Sequence, residues 1–233
     1  MFYFLFLFPA KYVMMKERKL LMKNQNNHLW LLVFWPLYGL LFWLLERVVP
    51  VAQFYPMYVK LDDWIPFCEW FVIPYTVWYG YFAGMHLYLL FADVPAFRRM
   101  MWFLIVTFGT AVLIFAVYPT VQELRPAVFP RDNLLTRFVA LYYRIDTNTN
   151  VCPSLHCTGS VAVAIAAFDA KKLSKLWRWM IAVTAALICL STVFIKQHSV
   201  VDVFWGLVLS LAGYLLVYWL PQRRKRGKTH DRI

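Results

Sequence analysis

Long apolar runs separated by short polar segments dominate the chain. In order, they cover approximately residues 29–49, 64–91, 100–118, 154–168, 176–195 and 199–220. A helix needs about 20 predominantly apolar residues to cross a hydrocarbon core of about 30 Å. The pattern therefore predicts an all-α, polytopic membrane protein whose spans form a six-transmembrane-helix bundle.

This pattern divides the chain into three segments. Residues 1–28 form a basic, interfacial amino-terminal segment, 29–220 form the six-helix membrane domain, and 221–233 form a basic tail. With 62% hydrophobic residues, the chain is more apolar than a soluble globular domain, in which about half of the residues are apolar. We therefore expect one integral-membrane domain and no separate soluble domain.

The formal net charge of +12 is concentrated in the terminal segments and in short connections. The basic segments are 16–23, Arg98-Arg99, 171–175 and 223–228. With six spans, all of them fall on one face, which the positive-inside rule assigns to the cytoplasm. We therefore expect a multi-pass protein of the cell membrane with both termini cytoplasmic. Its basic face is expected to attract anionic membrane lipids and not nucleic acid.

The opposite, extracytoplasmic face receives the segments 50–63, 119–153 and 196–199. The second of these is the longest polar stretch of the chain, and connections of such length are usually functional or disordered. Two polar islands border apolar runs on this face: Cys-Pro-Ser-Leu-His-Cys-Thr at 152–158, and the segment 191–202. We expect the islands to meet at one edge of the membrane and to form an active site there.

The two islands contain two histidines, His156 and His198, at positions that suit acid–base or nucleophilic catalysis. His198 and Asp202 are four residues apart at the predicted start of a helix, so their side chains project from the same face. An aspartate that accepts from one ring nitrogen leaves the other nitrogen as a directed nucleophile or general base. His156 begins another helix after Pro153, where free backbone N–H groups attract an anion.

With hydroxyl and cationic side chains on the same face, the histidines suit phosphoryl transfer through a phosphohistidine. One histidine attacks phosphorus, the other protonates the leaving oxygen, and cations with hydroxyls bind the phosphoryl oxygens. The candidate substrate-binding residues are Arg125, Ser154, Ser191 and Lys196. The scheme uses no cofactor. No metal site is expected, because the cysteines lack zinc-ligand spacing and the carboxylates do not cluster as magnesium sites require.

The two islands resemble motifs of the type 2 phosphatidic acid phosphatase (PAP2) superfamily, six-helix membrane enzymes related to vanadium haloperoxidases. Residues 153–156 match the motif Pro-Ser-x-His, and Ser191, His198 and Asp202 match Ser-Arg-x5-His-x3-Asp. Arg125, followed by proline, matches the end of Lys-x6-Arg-Pro. The resemblance covers the chain from about the third predicted span to the sixth.

The resemblance implies a role for each matching residue. His198 is the expected nucleophile, Asp202 its orienting partner and His156 the acid for the leaving group. The hydroxyl and guanidinium groups expected to bind phosphate belong to Arg125, Ser154 and Ser191. A lipid phosphate is the implied substrate.

Two positions depart from the family motifs, and each departure removes a cation. Tyr118 stands where the first motif has lysine, and Thr192 stands where the third has arginine. Lys196 is a candidate replacement because it belongs to the same predicted face. The loss of these cations, and Leu155 in the second motif, resemble the branch of inositolphosphorylceramide synthases and, distantly, sphingomyelin synthases. Those enzymes transfer a phospho-headgroup to a lipid alcohol instead of to water.

Three functions are consistent with these residues. The first is a metal-independent membrane phosphatase that hydrolyses a lipid phosphate or pyrophosphate, such as phosphatidic acid, phosphatidylglycerol phosphate or a polyprenyl pyrophosphate. The second is a lipid headgroup phosphotransferase that uses the same His-His-Asp triad. The third is a non-catalytic transporter or membrane scaffold in which His156, His198 and Asp202 satisfy one another, since ionisable groups in membranes are functional without always being catalytic.

Overall fold

The computed structural model describes residues 27–48 and 51–223. The basic segments predicted at the two ends therefore lie almost wholly outside the described residues. The chain divides into two compact units, residues 1–37 and 38–233. In the first, the described residues form a 3-10 turn and the beginning of a helix. The second holds the remaining helices and all the contacts described below.

Almost all of the regular secondary structure is helical. The α-helices are α1 (Phe34–Arg47), α2 (Leu61–Trp64), α3 (Val72–Ala92), α4 (Val94–Val117), α5 (Leu134–Ile145), α6 (Leu155–Asp169), α7 (Lys175–Phe194) and α8 (Val200–Tyr214). The 3-10 helices Leu29–Val33 and Glu69–Phe71 precede α1 and α3, and the π-helix Leu215–Trp219 continues α8. Two strands of two residues each, β1 (Tyr55–Pro56) and β2 (Thr120–Val121), pair in parallel.

Among the described residues, four helical stretches are long and apolar enough to cross a membrane. They are Leu29–Arg47, Val94–Val117, Lys175–Phe194 and Val200–Arg223. The chain is therefore an all-α membrane protein. Two further predicted spans correspond to α3, whose tyrosines, Trp78 and His86 make it less apolar, and to α6, which has only 15 residues.

The second predicted span, 64–91, begins too early. The chain is broken between α2 and the 3-10 helix before α3, and Pro66 lies in that break. Pro74 is the third residue of α3, where a missing N–H costs little because the first helical N–H groups have no intrahelical acceptor. Neither proline therefore kinks the interior of a span.

The third predicted span, 100–118, begins too late. Asp93 is the only residue between α3 and α4, and its Oδ1 accepts from Ala96 N at 3.2 Å, which caps α4. Pro95 occupies the first turn of α4, a favourable position for proline. The helix therefore starts directly after Asp93 and includes Arg98 and Arg99, which the sequence placed in a connection.

The polar stretch 119–153 is not a structureless loop, because it contains α5. Asn133 caps this helix through a reciprocal bond with Thr136, in which each side chain accepts from the backbone of the other residue. Val139 of α5 is buried, whereas Leu134 and Ile145 are exposed. The helix is amphipathic and covers the same end of the bundle as the two polar islands.

The three segments predicted to share a face do meet. β1 lies in segment 50–63 and pairs with β2 of segment 119–153. Gln122 Nε2 donates to the carbonyl of Lys196 at 2.9 Å, and Lys196 Nζ donates to the carbonyl of Asp62 at 2.8 Å. The segments therefore form one polar layer, the site end of the bundle, over the carboxyl ends of α4 and α7 and the amino ends of α6 and α8.

Candidate active site

The first residues of α8 build the histidine and aspartate pair. Ser199 caps the helix, and its backbone N–H donates to Asp202 Oδ2 at 2.9 Å. The same oxygen accepts from His198 Nδ1 at 3.3 Å. All three residues are buried. The capping geometry therefore fixes the carboxylate, and the carboxylate in turn fixes the ring of His198.

An aspartate that the sequence did not single out supports this turn. Asp62, at the second residue of α2, accepts from Ser199 Oγ at 2.6 Å and from Val200 N at 2.9 Å. Asp62 is 1% exposed. A carboxylate at the start of a helix satisfies free N–H groups and interacts favourably with the helix dipole. Asp62 therefore holds the amino end of α8 against α2.

A close approach of two helices brings the second island to the first. Ser154 caps α6, its side chain accepting from Cys157 N at 3.4 Å, and its own N–H donates to the carbonyl of Asp202 at 3.0 Å. A Cβ atom at Gly206 of α8 would lie 2.8 Å from the carbonyl oxygen of Ser154. Only glycine permits this contact, which joins the amino ends of α6 and α8.

His156 points into the same space. Its ring centroid lies 5.8 Å from that of His198, and it packs on the rings of Tyr75 and Trp78 at 4.6 and 4.5 Å. Among the described residues, no group lies within hydrogen-bonding distance of the buried His156 Nε2. A buried polar atom without a partner is unfavourable in a purely structural role. Its position favours contact with a bound ligand.

Asp146 is a second site residue that the sequence did not single out. Its Oδ2 accepts from the hydroxyl of Tyr75 and from Gln197 Nε2, the latter at 3.2 Å. The charge of Asp146 acts on both His156 and His198. An isolated acid in a polar stretch carries no spacing signal, which is why no motif revealed it. The site therefore contains one carboxylate more than the triad requires.

Arg125 lies beside this carboxylate, but its guanidinium is held by the backbone. Nη1 donates to the carbonyl of Tyr143 at 2.9 Å and Nη2 to that of Asp146 at 2.7 Å. The guanidinium carbon also lies 4.5 Å from the centroid of the Tyr143 ring, a cation–π distance. Among the described residues, Arg125 Nε is buried without a partner. That N–H is one donor of the side chain left for an anion.

The remaining candidate residues, Ser191 in the last turn of α7 and Lys196 in the loop after it, are engaged with backbone carbonyls. Ser191 Oγ donates to the carbonyl of Ile188 at 2.6 Å. Lys196, whose φ of 56° lies in the left-handed region, donates through Nζ to the carbonyls of Asp62 and Ile65 at 2.8 and 2.6 Å. These two bonds leave one N–H of the Lys196 ammonium for a phosphate. In this structure Lys196 shapes the loop that carries His198, and the Ser191 side chain bonds within α7.

The two positions that depart from the family motifs also have structural contacts. The ring of Tyr118 stacks on that of Tyr55, with centroids 4.1 Å apart. The carbonyl of Thr192 accepts from the backbone N–H groups of Gln197 and His198 at 2.9 and 3.0 Å. Neither position supplies a cation, and the Thr192 backbone instead closes the turn that presents His198.

Burial and the carboxylate of Asp202 act on the pKa of His198 in opposite directions. Burial acts to lower its pKa, but the hydrogen bond to Asp202 and the negative charge of that carboxylate outweigh burial. The pKa of His198 therefore lies above its usual value. Among residues 27–48 and 51–223, no group of three or more histidine, cysteine, aspartate or glutamate side chains is arranged to hold a metal ion.

Comparison with known proteins gives one match. The family model of the PAP2 superfamily matches residues 99–226, more than half of the chain and all three motif regions. No curated protein and no solved structure matches the chain. Members of the superfamily are typically phosphatases or phosphotransferases. The paired histidines and Asp202 thus lie within a chain that belongs to the PAP2 superfamily.

Proposed function

We propose that the chain is an integral-membrane phosphatase that hydrolyses a lipid phosphate or pyrophosphate through a phosphohistidine. The observation that carries the proposal is the 3.3 Å pairing of His198 with Asp202, with the ring of His156 5.8 Å from that of His198. A nucleophile, its orienting carboxylate and a second histidine within reach are the minimum set for such a reaction.

In the first step, the neutral ring of His198 attacks phosphorus through Nε2, because Nδ1 is held by Asp202. The new P–N bond forms as the bond between phosphorus and the oxygen of the leaving group breaks. The protonated ring of His156 gives its proton to that oxygen, so a monoester releases a lipid alcohol and a pyrophosphate releases a lipid phosphate. Arg125 Nε and the amino end of α6, with Ser154 at its cap, are positioned to bind the phosphoryl oxygens.

In the second step, a water molecule attacks the phosphorus of phosphohistidine. Its proton passes to His156, which has just become neutral, and the P–N bond breaks with its electron pair returning to His198. Inorganic phosphate leaves and both histidines regain their starting protonation. The two histidines and one water molecule therefore account for every proton and every bond made or broken in the cycle.

A second candidate function is transfer of a lipid headgroup to a lipid alcohol, and the charge of the site favours it. Asp146 adds a negative charge beside both histidines. Arg125 and Lys196 each donate two hydrogen bonds to backbone carbonyls, which leaves fewer N–H donors for a phosphate. A phosphate monoester carries nearly two negative charges near neutral pH, whereas a phosphodiester carries one. The diester of a headgroup donor therefore meets less repulsion. This reaction is the one expected of the inositolphosphorylceramide synthase-like branch.

We propose six spans, with α3 and α6 completing the four apolar ones. At 1.5 Å per residue, the 21 residues of α3 extend about 32 Å and the 15 residues of α6 about 22 Å. The exposed basic groups at Arg98 and Lys171 favour a cytoplasmic location for their end of the bundle and an extracytoplasmic one for the site. Impermeant labelling of a cysteine introduced at Val128, which is 83% exposed, tests this orientation, since protection in sealed cells would reverse it.

Acceptor dependence separates the candidate functions. The purified full chain, reconstituted into phospholipid vesicles, is offered phosphatidic acid, a polyprenyl pyrophosphate and a phosphodiester lipid, each with and without a lipid alcohol. Free phosphate released without the alcohol supports the phosphatase. Product formed only with the alcohol supports the transferase. A folded protein that turns over no substrate contradicts both and supports a transporter or scaffold.

A further inference from the structure

An apolar groove lies behind the site, between the carboxyl end of α4 and one face of α8. Its volume is about 520 Å³, within the usual range for small-molecule sites. The α8 face contributes Val201, Trp205, Val208, Leu209 and Ala212. None of the described residues that line it is charged. The groove is therefore suited to hydrocarbon.

Residues that directly precede the catalytic motifs line the upper end of the groove. Cys152 and Pro153 line it and directly precede Ser154, the cap of α6. The Cys152 thiol also interacts electrostatically with the carboxylate of Asp202. Val201, on the α8 side, directly precedes Asp202. A molecule in the groove would thus have one end against the residues that hold His198.

The lower end of the groove reaches into the span. Val201 and Ala212 are eleven residues apart on α8, or about 17 Å along the helix axis. That distance is about half of a hydrocarbon core of about 30 Å. Trp205 and Val208 on the same face are 49% and 37% exposed. In a membrane, the groove is therefore open to lipid along its length and ends near the middle of the bilayer.

We propose that this groove binds one hydrocarbon chain of the lipid substrate whose phosphate is placed at His198. The inference rests on the proposed function and names its substrate class: a lipid phosphate with a long chain. Burial from water does not drive this binding, because other lipid tails already surround the hydrocarbon chain of the substrate before it enters the groove. Close packing in the groove instead fixes the position of the phosphate for attack.

Filling the groove tests the proposal. Ala212→Trp and Val208→Trp each place a large ring inside the groove, far from the triad. The matched control is Leu211→Trp, because Leu211 neighbours Ala212 but is 59% exposed and does not line the groove. The substrates are long-chain phosphatidic acid and a short-chain, water-soluble phosphatidic acid with the same headgroup. The readout is kcat/KM of the reconstituted full chain for each.

The two groove variants should lower kcat/KM for the long-chain substrate by at least about tenfold and change the short-chain value by less than about twofold. The control should leave both values within about twofold. Equal losses on both substrates, or no loss in either variant, would overturn the proposal and favour a bulk lipid or a second copy of the chain as the occupant. A wild-type protein without turnover on either substrate would instead refute the proposed phosphatase.

Discussion

The two ends of the helix bundle use polar residues in different ways. At the basic end, Asp93 caps α4 and accepts from Lys171 N at 3.0 Å, and Arg99 pairs with Asp169 at 2.6 Å. Arg99 and Asp169 are partly exposed, and the buried carboxylate of Asp93 has backbone N–H partners. At the site end, His198 is buried and His156 is partly buried, and the buried His156 Nε2 has no partner among the described residues.

The comparison separates polar groups that helix capping explains from those that it does not explain. Helix capping explains Asp62, Ser154 and Ser199, as it explains Asp93 at the other end. Capping does not explain a buried ring nitrogen without a partner, or the additional carboxylate of Asp146. If the site end is an active site, substitutions there should affect turnover, and substitutions at the basic end should affect only stability.

The largest effect is expected for His198→Ala, which removes the nucleophile. Turnover should fall by at least about 10³-fold, measured as phosphate release from vesicles. The matched control is His86→Gln. His86 is also a buried histidine of the bundle, but its Nδ1 contacts the carbonyl of Phe82 at 2.8 Å within α3. Equal loss in both variants would show that buried histidines are needed here for folding and not for chemistry.

Asp202→Asn should lower kcat by about 10²- to 10⁴-fold and also change the pH profile. The wild-type pKa of His198 is raised by Asp202, and only neutral His198 can attack phosphorus. Activity should therefore rise with pH through a pKa above the usual histidine value. Without the carboxylate, that rising limb should move to lower pH. A limb that stays in place would exclude Asp202 as the partner that sets the protonation of His198.

A moderate effect is expected for Asp146→Asn. Removing its negative charge should reduce repulsion of a phosphate monoester and lower KM by about fivefold. Asp132→Asn is the control, because Asp132 lies at the same end of the bundle but is exposed and pairs with Arg137 at 3.2 Å. A higher KM in Asp146→Asn, or an equal change in the control, would show that Asp146 does not act on the phosphate through its charge.

The smallest effect is expected at the basic end. Arg99→Gln breaks the ion pair with Asp169. The side chain of Arg99 is 36% exposed and that of Asp169 is 18% exposed. Such partly exposed pairs contribute at most about 1 kcal/mol to the free energy of unfolding. Thermal unfolding in detergent should shift slightly while kcat and KM stay within about twofold of wild type. A large loss of turnover would mean that the two ends are functionally coupled.

The sequence predicted those parts of the fold that depend on long apolar runs. Hydropathy alone located α1, α7 and the span that begins with α8 to within a few residues. The spacing of His198 and Asp202 predicted their contact, because residues four apart share a face of a helix. The long polar segment 119–153 was correctly placed at the same end as the two islands.

Amphipathic α5 has local signals, the Asn133 cap and helical periodicity, but it is not a continuous apolar run and so hydropathy alone does not reveal it. The remaining features depend on tertiary contacts that no local pattern records. Asp62, which neighbours Asp63, and Asp146 match no motif, and only folding brings them to the amino end of α8 and to Tyr75. The sequence offered Lys196 as a phosphate ligand, but the loop directs its ammonium to two backbone carbonyls. That role for Lys196 stays a prediction.

Trapping the covalent intermediate tests the central claim most directly. The reconstituted full chain is mixed with a lipid phosphate carrying radioactive phosphorus and quenched with alkali, in which phosphohistidine survives, before peptide mapping by mass spectrometry. We expect label on His198 in the wild-type protein, more label in His156→Ala if water attack is slowed more than phosphorylation, and none in His198→Ala. Active wild-type protein that carries its label on another residue, or none at any quench time, would contradict the phosphohistidine mechanism.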